Sequence, residues 1–449
     1  MGLVALADFG STYTKVSLVD PGEGRLLARA EAPTSIGTDL MEGYAAALVL
    51  AKRSLGGAAT IDHQLGVSSA GGGLKVAAVG LVADLTAAAA RQAALNAGAR
   101  VEVVLSGSLD EGQLDELQAA RPEIILFAGG TDGGQAELVL ENARCLAARA
   151  IGGNAVVACN AEVAEEAAEL LRASGTQAVV AANVMPELGR LEVESAREAI
   201  LRVFLEHVIG GKGLSASPEF ERMVKLPTPE AVLEATRLLG DVVVVDVGGA
   251  TTDIHSNRTE VATPGIEDPL LPPPLTLRTV EGDLGLRAGA AGVAATDERW
   301  LGAEWGEGEA AIRQAVSIRG EDPGWLPVEE DGVRFDALLA ISCATHALTR
   351  HCGTMLLARG EGGPPTLVRD GPDLREATRV LGTGGVFAHR GDGGWILAEA
   401  LKRRLSRSLT PRDPEIVIDR NYVLSAAGLL AREDRDAAAR LLAGELDAP

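Results

Sequence analysis

With 449 residues, 47% of them hydrophobic but only 3% aromatic, the chain has material for two or three cores built mainly from alanine, valine and leucine. A formal charge of −22 argues against a nucleic-acid footprint, which calls for clustered lysine and arginine, and against docking on an anionic membrane. No apolar run approaches the roughly 18 residues a spanning helix needs. The chain enters a predicted strand within a few residues of Met1, so no signal peptide is expected. With four scattered cysteines, a cytoplasmic protein with reduced thiols is expected.

The first predicted element is a strand, Leu3 to Ala7, which runs into Asp8, Phe9, Gly10, Ser11, Thr12, Tyr13, Thr14 and Lys15 before Val16 to Val19 returns as a second strand. Strands alternating with helices follow: Lys75–Val82, Val101–Leu105, Glu123–Ala128, Ala155–Ala158 and Ala178–Ala181. That rhythm predicts right-handed βαβ units and an inserted, doubly wound, flavodoxin-like α/β domain over residues 75–185. Asp84 is placed to cap its first helix. Gly129 to Gly134 ends a parallel strand, where open sheets place ligands. It lacks Gly-x-Gly-x-x-Gly spacing and cations, so a flexible turn or docking loop is expected.

The strongest signal comes later. Val242–Val245 is a buried strand, followed by Asp246, Val247, Gly248, Gly249, Ala250, Thr251, Thr252 and Asp253. Glycine turns expose backbone N–H groups that form an anion-binding concavity. The carboxylates can hold Mg²⁺ through water, and the threonine hydroxyls can donate to phosphate oxygens. This repeats the pattern of the first hairpin and predicts two similar half-domains serving one nucleotide. It is not the P-loop arrangement, which has no match here. Thr263–Leu275, with five prolines, reads as a loop or ordered excursion.

Trp300, Trp305 and Trp325 predict either a contact surface or a small satellite core. Cys343 and Cys352 lie nine apart on one predicted helix, about half a turn out of phase, and read as core cysteines. His346 and His351 are poorly spaced for a shared metal, so His351 is expected on the helix surface. Arg379 to Phe387 is a strand running into the turn Gly382, Thr383, Gly384, Gly385, bare enough for adenine or ribose.

These motifs resemble the superfamily of actin, heat-shock chaperone ATPases and sugar kinases. Asp8–Lys15 looks like its first phosphate motif, Asp246–Asp253 its second and Gly382–Gly385 its adenosine motif. Pro227–Val232 and Tyr422–Leu430 resemble the two connecting helices. Together with Val280, Glu281, Gly282, Asp283, Leu284, Gly285, Leu286 and Arg287, the set is similar to the glutamate (methylaspartate) mutase accessory proteins.

The resemblance implies an α/β protein with two actin-like (ribonuclease-H-like) half-domains. The first would comprise residues 1–74 and 186–240, and the second residues 241–430, with a C-terminal helix or tail at 431–449. It also implies an ATP-using partner of adenosylcobalamin-dependent mutase subunits. ATP with Mg²⁺ is expected between the halves, with Asp8, Asp246 and Asp253 holding the metal mostly through water. Ser11, Thr12, Lys15, Thr251 and Thr252 are expected on phosphate oxygens, and the backbones of Gly10, Gly248, Gly249 and Ala250 line the turns. Gly382, Thr383, Gly384 and Gly385 face adenosine. Asp246, with Asp8, is the expected catalytic carboxylate, with Asp253, Glu230, Glu281 and Asp283 behind it and Arg287 a further candidate site residue. The chaperones carry a glutamate where this chain has Leu226, which implies slow unassisted hydrolysis. A small-molecule kinase and an actin-like filament protein remain alternatives.

Overall fold

The computed structural model describes residues 2–57, 59–149, 151, 153–208, 213–259, 266–267, 271–358, 366–403 and 407–446. The chain forms two compact units, Met1–Ala231 with Arg432–Asp434, and Val232–Ala431 with Arg435–Pro449.

In the first unit β1 (Val4–Phe9) is buried along its whole length, as an apolar run in the middle of a sheet must be. It pairs antiparallel with β2 (Tyr13–Asp20), which pairs antiparallel with β3 (Arg25–Pro33). On its other side β1 pairs parallel with β4 (His63–Ser68). The helix Leu40–Ser54, whose first turn is capped by Asp39 accepting from Met41 N at 2.8 Å, packs on β2 and β3.

The chain then leaves this sheet to build another: β5 (Leu74–Gly80), β6 (Ala99–Ser106), β7 (Ile124–Gly129), β8 (Asn154–Cys159) and β9 (Gln177–Val180). All pairs in it are parallel, in the order β6-β5-β7-β8-β9, the flavodoxin-like order. Helices such as Glu111–Ala120, with its Asp110 capping box, alternate with these strands. Asp84 does not cap. It is exposed on a π-helical turn, Ala83–Ala87, and the Thr86 hydroxyl instead accepts from Leu81 N and Val82 N at 2.8 and 3.0 Å. The Gly129–Gly134 loop is pinned rather than loose: Asp132 accepts from Ala161 N and Asn183 Nδ2, and Asn183 also donates to Gly130 O. The chain returns through the helix Glu194–Val203 to β10 (Val224–Pro227), which pairs parallel with β4.

The second unit repeats the first sheet. Strand β11 (Val242–Val247) pairs antiparallel with β12 (Thr252–Asn257). A short excursion, β13 (Ile266–Glu267), precedes β14 (Thr276–Glu281), which pairs antiparallel with β12. Strands β15 (Thr354–Ala358) and β16 (Thr366–Asp370) join β13 in a separate small sheet. Strand β17 (Arg379–Thr383) lies parallel to β11, and β18 (Glu415–Ile418) parallel to β17. The orders β3-β2-β1-β4-β10 and β14-β12-β11-β17-β18 carry the same pattern of directions, so the two halves expected from the hairpins share one topology. Of the proline-rich stretch, Pro264 and Pro269 lie outside the described residues. Pro272 to Pro274 belong to no helix or strand.

The second unit's core gathers around the helix Glu330–His351. Trp300 and Trp305 pack against this core, with Trp305 4.2 Å from the Phe335 ring. Arg319 covers Trp325 and Phe335, and Arg403 covers Trp300 at 3.5 Å. These tryptophans are half-buried, as satellite-core residues are. Cys343 and Cys352 are buried and their thiols pushed up by burial, Cys343 to about 12.

His351 corrects the expectation of a surface residue. It is the last residue of a helix whose end is covered by β12 and β14, with Nε2 2.8 Å from Ser256 Oγ and Nδ1 2.8 Å from Thr279 Oγ1. Burial pushes its pKa down to about 3. The folded chain therefore keeps it neutral, and unfolding lets it bind a proton below pH 6.5 or so. Its contribution is complete above that pH and is lost on acidification, by about 2 kcal/mol at pH 5. Urea midpoints at pH 7 and pH 5 should show this loss, and His351→Gln should shrink the difference between them by that amount.

Candidate functional site

The first hairpin places Asp8 one residue before the end of β1, 8% exposed. Its Oδ1 accepts from Thr228 Oγ1 at 2.8 Å, and Lys15, its register partner on β2, puts Nζ 3.9 Å from Oδ2. Thr228 opens the helix Thr228–Leu238, so the first connecting helix begins on the carboxylate itself. A side chain at Gly10 would meet Tyr13 O at 2.7 Å, so the turn closes only over a bare residue. Thr34 fixes it from behind, donating to Gly10 O at 2.9 Å, while Ser11 and Thr12 are exposed at the tip. Lys15 meets the carboxylate here rather than standing apart from it.

In the second unit Asp246 and Asp253 face each other across β11 and β12, and Gly248 N donates to Thr251 O at 2.9 Å to close the turn. Gly249 and Ala250 are exposed; Gly248, Thr251 and Asp246 are partly so. The segment Leu284–Gly289 braces this hairpin from beneath. Leu286 N donates to Gly248 O and Arg287 N to Gly249 O, and a Cβ at Gly285 would meet the Ala250 backbone at 2.5 Å. The acidic-glycine motif around 280–287 is thus a support for the phosphate-like turn.

Several expected site residues are corrected by these contacts. Asp253 is buried against Arg278, whose Nε donates to Oδ1 at 2.9 Å, so its charge is already balanced where a metal was expected. Thr252 is fully buried and its hydroxyl donates to Leu284 O at 2.8 Å, not toward phosphate. The period of two along β12 puts Thr252 on the face of Ile254, a signal available in the sequence. Glu230 is completely buried against Arg197 and cannot orient water. Glu281 and Asp283 both accept from Arg350 at 2.7 Å, and that hydrogen bond holds Asp283 below the usual carboxylate range. The Arg287 guanidinium points into the unit, donating to Asp336 Oδ2 at 2.9 Å.

The third turn follows β17. Gly382 is buried between Phe387 and Ile418, where a Cβ would sit 3.0 Å from each, so its side is closed to a ligand. Thr383 is also buried, and its hydroxyl donates to Asp419 Oδ2 at 3.3 Å. Asp419 accepts as well from Val423 N and Leu424 N, capping the second connecting helix, Val423–Leu430. Sequence reasoning missed Asp419, which lies three residues before the N-cap position and so outside the local capping pattern. Gly384 has φ +95, and a Cβ there would lie 2.5 Å from Val247 O and 2.9 Å from Asp246 Oδ1. This turn therefore sits directly against the end of β11 and its carboxylate. Gly384→Ala should cost about 2 kcal/mol, whereas Gly385→Ala should stay within about 0.5 kcal/mol of the parent chain in denaturant unfolding.

A duplicated α/β topology with a carboxylate-glycine hairpin in each copy, and a glycine turn against the second, is an actin-like fold. The chain belongs to the MutL protein family, which it matches over residues 4–446. It is 39% identical to Protein MutL of Clostridium tetanomorphum over 456 residues, covering 98% of both chains. More distant likenesses are found among solved structures. One is a glycerol dehydratase reactivase (12% identity, 96% of this chain and 100% of that one, TM-score 0.37). Another is component A of (R)-2-hydroxyglutaryl-CoA dehydratase from Acidaminococcus fermentans (10%, 98% and 100%, TM-score 0.33).

Proposed function

We propose that this chain is an ATP-binding and slowly ATP-hydrolysing accessory protein that reactivates an adenosylcobalamin-dependent mutase such as glutamate mutase. The observation that carries the nucleotide half of this proposal is the pair of bare hairpins, each with an aspartate at the end of a buried central strand. The mutase half is supported by membership of the MutL family and by the 39% relative.

The donor set fits Mg²⁺-ATP. Two turns have exposed backbone and no room for side chains at Gly10 and Gly384, and hydroxyls stand at Ser11, Thr12 and Thr251. Bound Mg²⁺ neutralises phosphate charge and leaves the protein to position the reacting groups. Asp8 is oriented by Thr228 for a metal's water shell, and Lys15 beside it offers a cation to phosphate. Asp246 is the carboxylate at the second turn and orients the attacking water. Leu226, fully enclosed near the end of β10, supplies no carboxylate before the connecting helix, so slow unassisted turnover is expected.

Asp246→Asn should keep the fold and reduce ATP turnover by at least a hundredfold, measured as phosphate release. Purified mutase carrying inactivated cofactor should raise the parent chain's turnover and recover activity in the presence of ATP. Unchanged turnover in the variant would remove the role given to Asp246, and transfer of phosphate to a metabolite would make the chain a kinase.

A further inference from the structure

The two most exposed large apolar side chains among the described residues stand two apart on one loop: Leu326 is 65% and Val328 89% exposed. They lie in the connection between the helices Glu309–Glu321 and Glu330–His351, where residues 325–328 form neither helix nor strand. Exposure along this run alternates as it does on a strand with one covered face. Trp325 and Pro327 are half-buried, while Leu326 and Val328 face outward. Side chains of this kind contribute to folding only when buried, and two held outward together mark a contact surface.

The alternation is enforced from below. Trp325 N donates to Asp322 O and Gly324 N to Asp322 Oδ1, each at 3.0 Å. The Arg319 guanidinium lies 5.2 Å from the centre of the Trp325 ring. A Cβ at Gly332 would meet Pro327 Cβ at 2.8 Å, so the proline is seated on a bare turn of the next helix. With Trp325 and Pro327 anchored, Leu326 and Val328 are already ordered before any partner arrives. The rim around them is acidic. Between Arg319 and Arg334 the chain carries Glu321, Asp322, Glu329, Glu330 and Asp331, all exposed, and no lysine or arginine. Glu321 accepts from Ser317 Oγ and Asp331 from Trp305 Nε1, neutral donors that leave their charge unbalanced.

We propose that Leu326 and Val328 are the knobs by which this chain docks on its mutase, entering an apolar cleft rimmed by lysine and arginine. The inference rests on the reactivating function proposed above and adds the surface that meets the partner. Charge complementarity selects such a cleft over a second copy of this chain, whose net charge of −22 would set acid against acid. The loop is also tied to the second hairpin. Arg319 Nε donates to Asp336 Oδ1 at 2.7 Å, Arg287 Nη2 to Asp336 Oδ2 at 2.9 Å, and Arg287 N to Gly249 O at 2.7 Å. The docking element and the turn assigned to phosphate thus share one carboxylate.

The test measures binding of purified adenosylcobalamin-dependent glutamate mutase to the immobilised full chain, with and without Mg²⁺-ATP. Leu326→Ser combined with Val328→Ser should weaken binding at least about tenfold. Glu329→Gln combined with Glu330→Gln should weaken it about threefold and flatten its dependence on salt. All four positions are on the surface, so urea midpoints should match the parent's. Variants that bind the mutase as tightly as the parent would overturn the docking element. If they do so while losing a self-association of the parent seen in sedimentation, the loop is instead a contact between copies of this chain. A parent chain that binds no mutase in any nucleotide state would remove the reactivating function itself, and the docking element with it. That failure is seen before any residue is changed, and so is distinct from any result obtained with the variants.

Discussion

A carboxylate at the end of a buried strand needs hydrogen-bond and charge partners supplied by the protein, and this constraint organises both units. A buried polar or charged group without such partners is costly, so donors stand near each of these carboxylates. For Asp8 the donor is the Thr228 hydroxyl, with Lys15 across the strand pair. Thr228 is in place only because its helix starts there, and two further contacts fix that start. Glu230 is buried against Arg197 of the returning helix, and Gly98, just after the first helix of the inserted sheet, lies 3.0 Å from Pro227 Cβ and Glu230 N by its virtual Cβ. The inserted sheet therefore bears on the geometry of Asp8 through a short run of packed groups. Removing one partner of a buried ion pair such as Arg197–Glu230 leaves the other charge uncompensated.

The second unit answers the same constraint with a different division of labour. Arg278 balances Asp253, Arg350 takes Glu281 and Asp283, and Arg287 and Arg319 share Asp336. Asp246 itself stands at the turn where Gly384 closes on β11. The segment 284–289 is an equal part of this arrangement, because its backbone donors fix the carbonyls of Gly248 and Gly249.

The hairpins were legible because each is local: an apolar run, an acid, glycines and hydroxyls within a dozen residues. So was the parallel inserted sheet, whose strands and helices alternate at regular spacing. The partners were not. Thr228 is 220 residues from Asp8, Arg278 lies on a different strand from Asp253, and Arg197 reaches Glu230 from another helix. No local pattern encodes such pairs. They decide which acids lie against cations, as Asp253, Glu230, Glu281 and Asp283 do. Thr252 and Thr383 were misread for a simpler reason: strand alternation turns them inward, and composition alone does not report which face a hydroxyl occupies.

The pairing of β10 with β4 has a consequence for synthesis. Strand β4 ends at Ser68 and its parallel partner begins at Val224, so the first sheet gains its last strand only after the whole inserted sheet has been translated. Loop closure over that separation is slow unless the intervening chain has already condensed. The inserted sheet, with connections of ordinary length between its strands, can collapse first and bring Ser68 and Val224 within reach. The first sheet, whose other four strands precede the insert in the chain, is then completed only after the inserted sheet has been made. The edge of β4 stays unpaired in the interval, which makes the nascent first sheet, rather than the finished one, the surface most in need of protection.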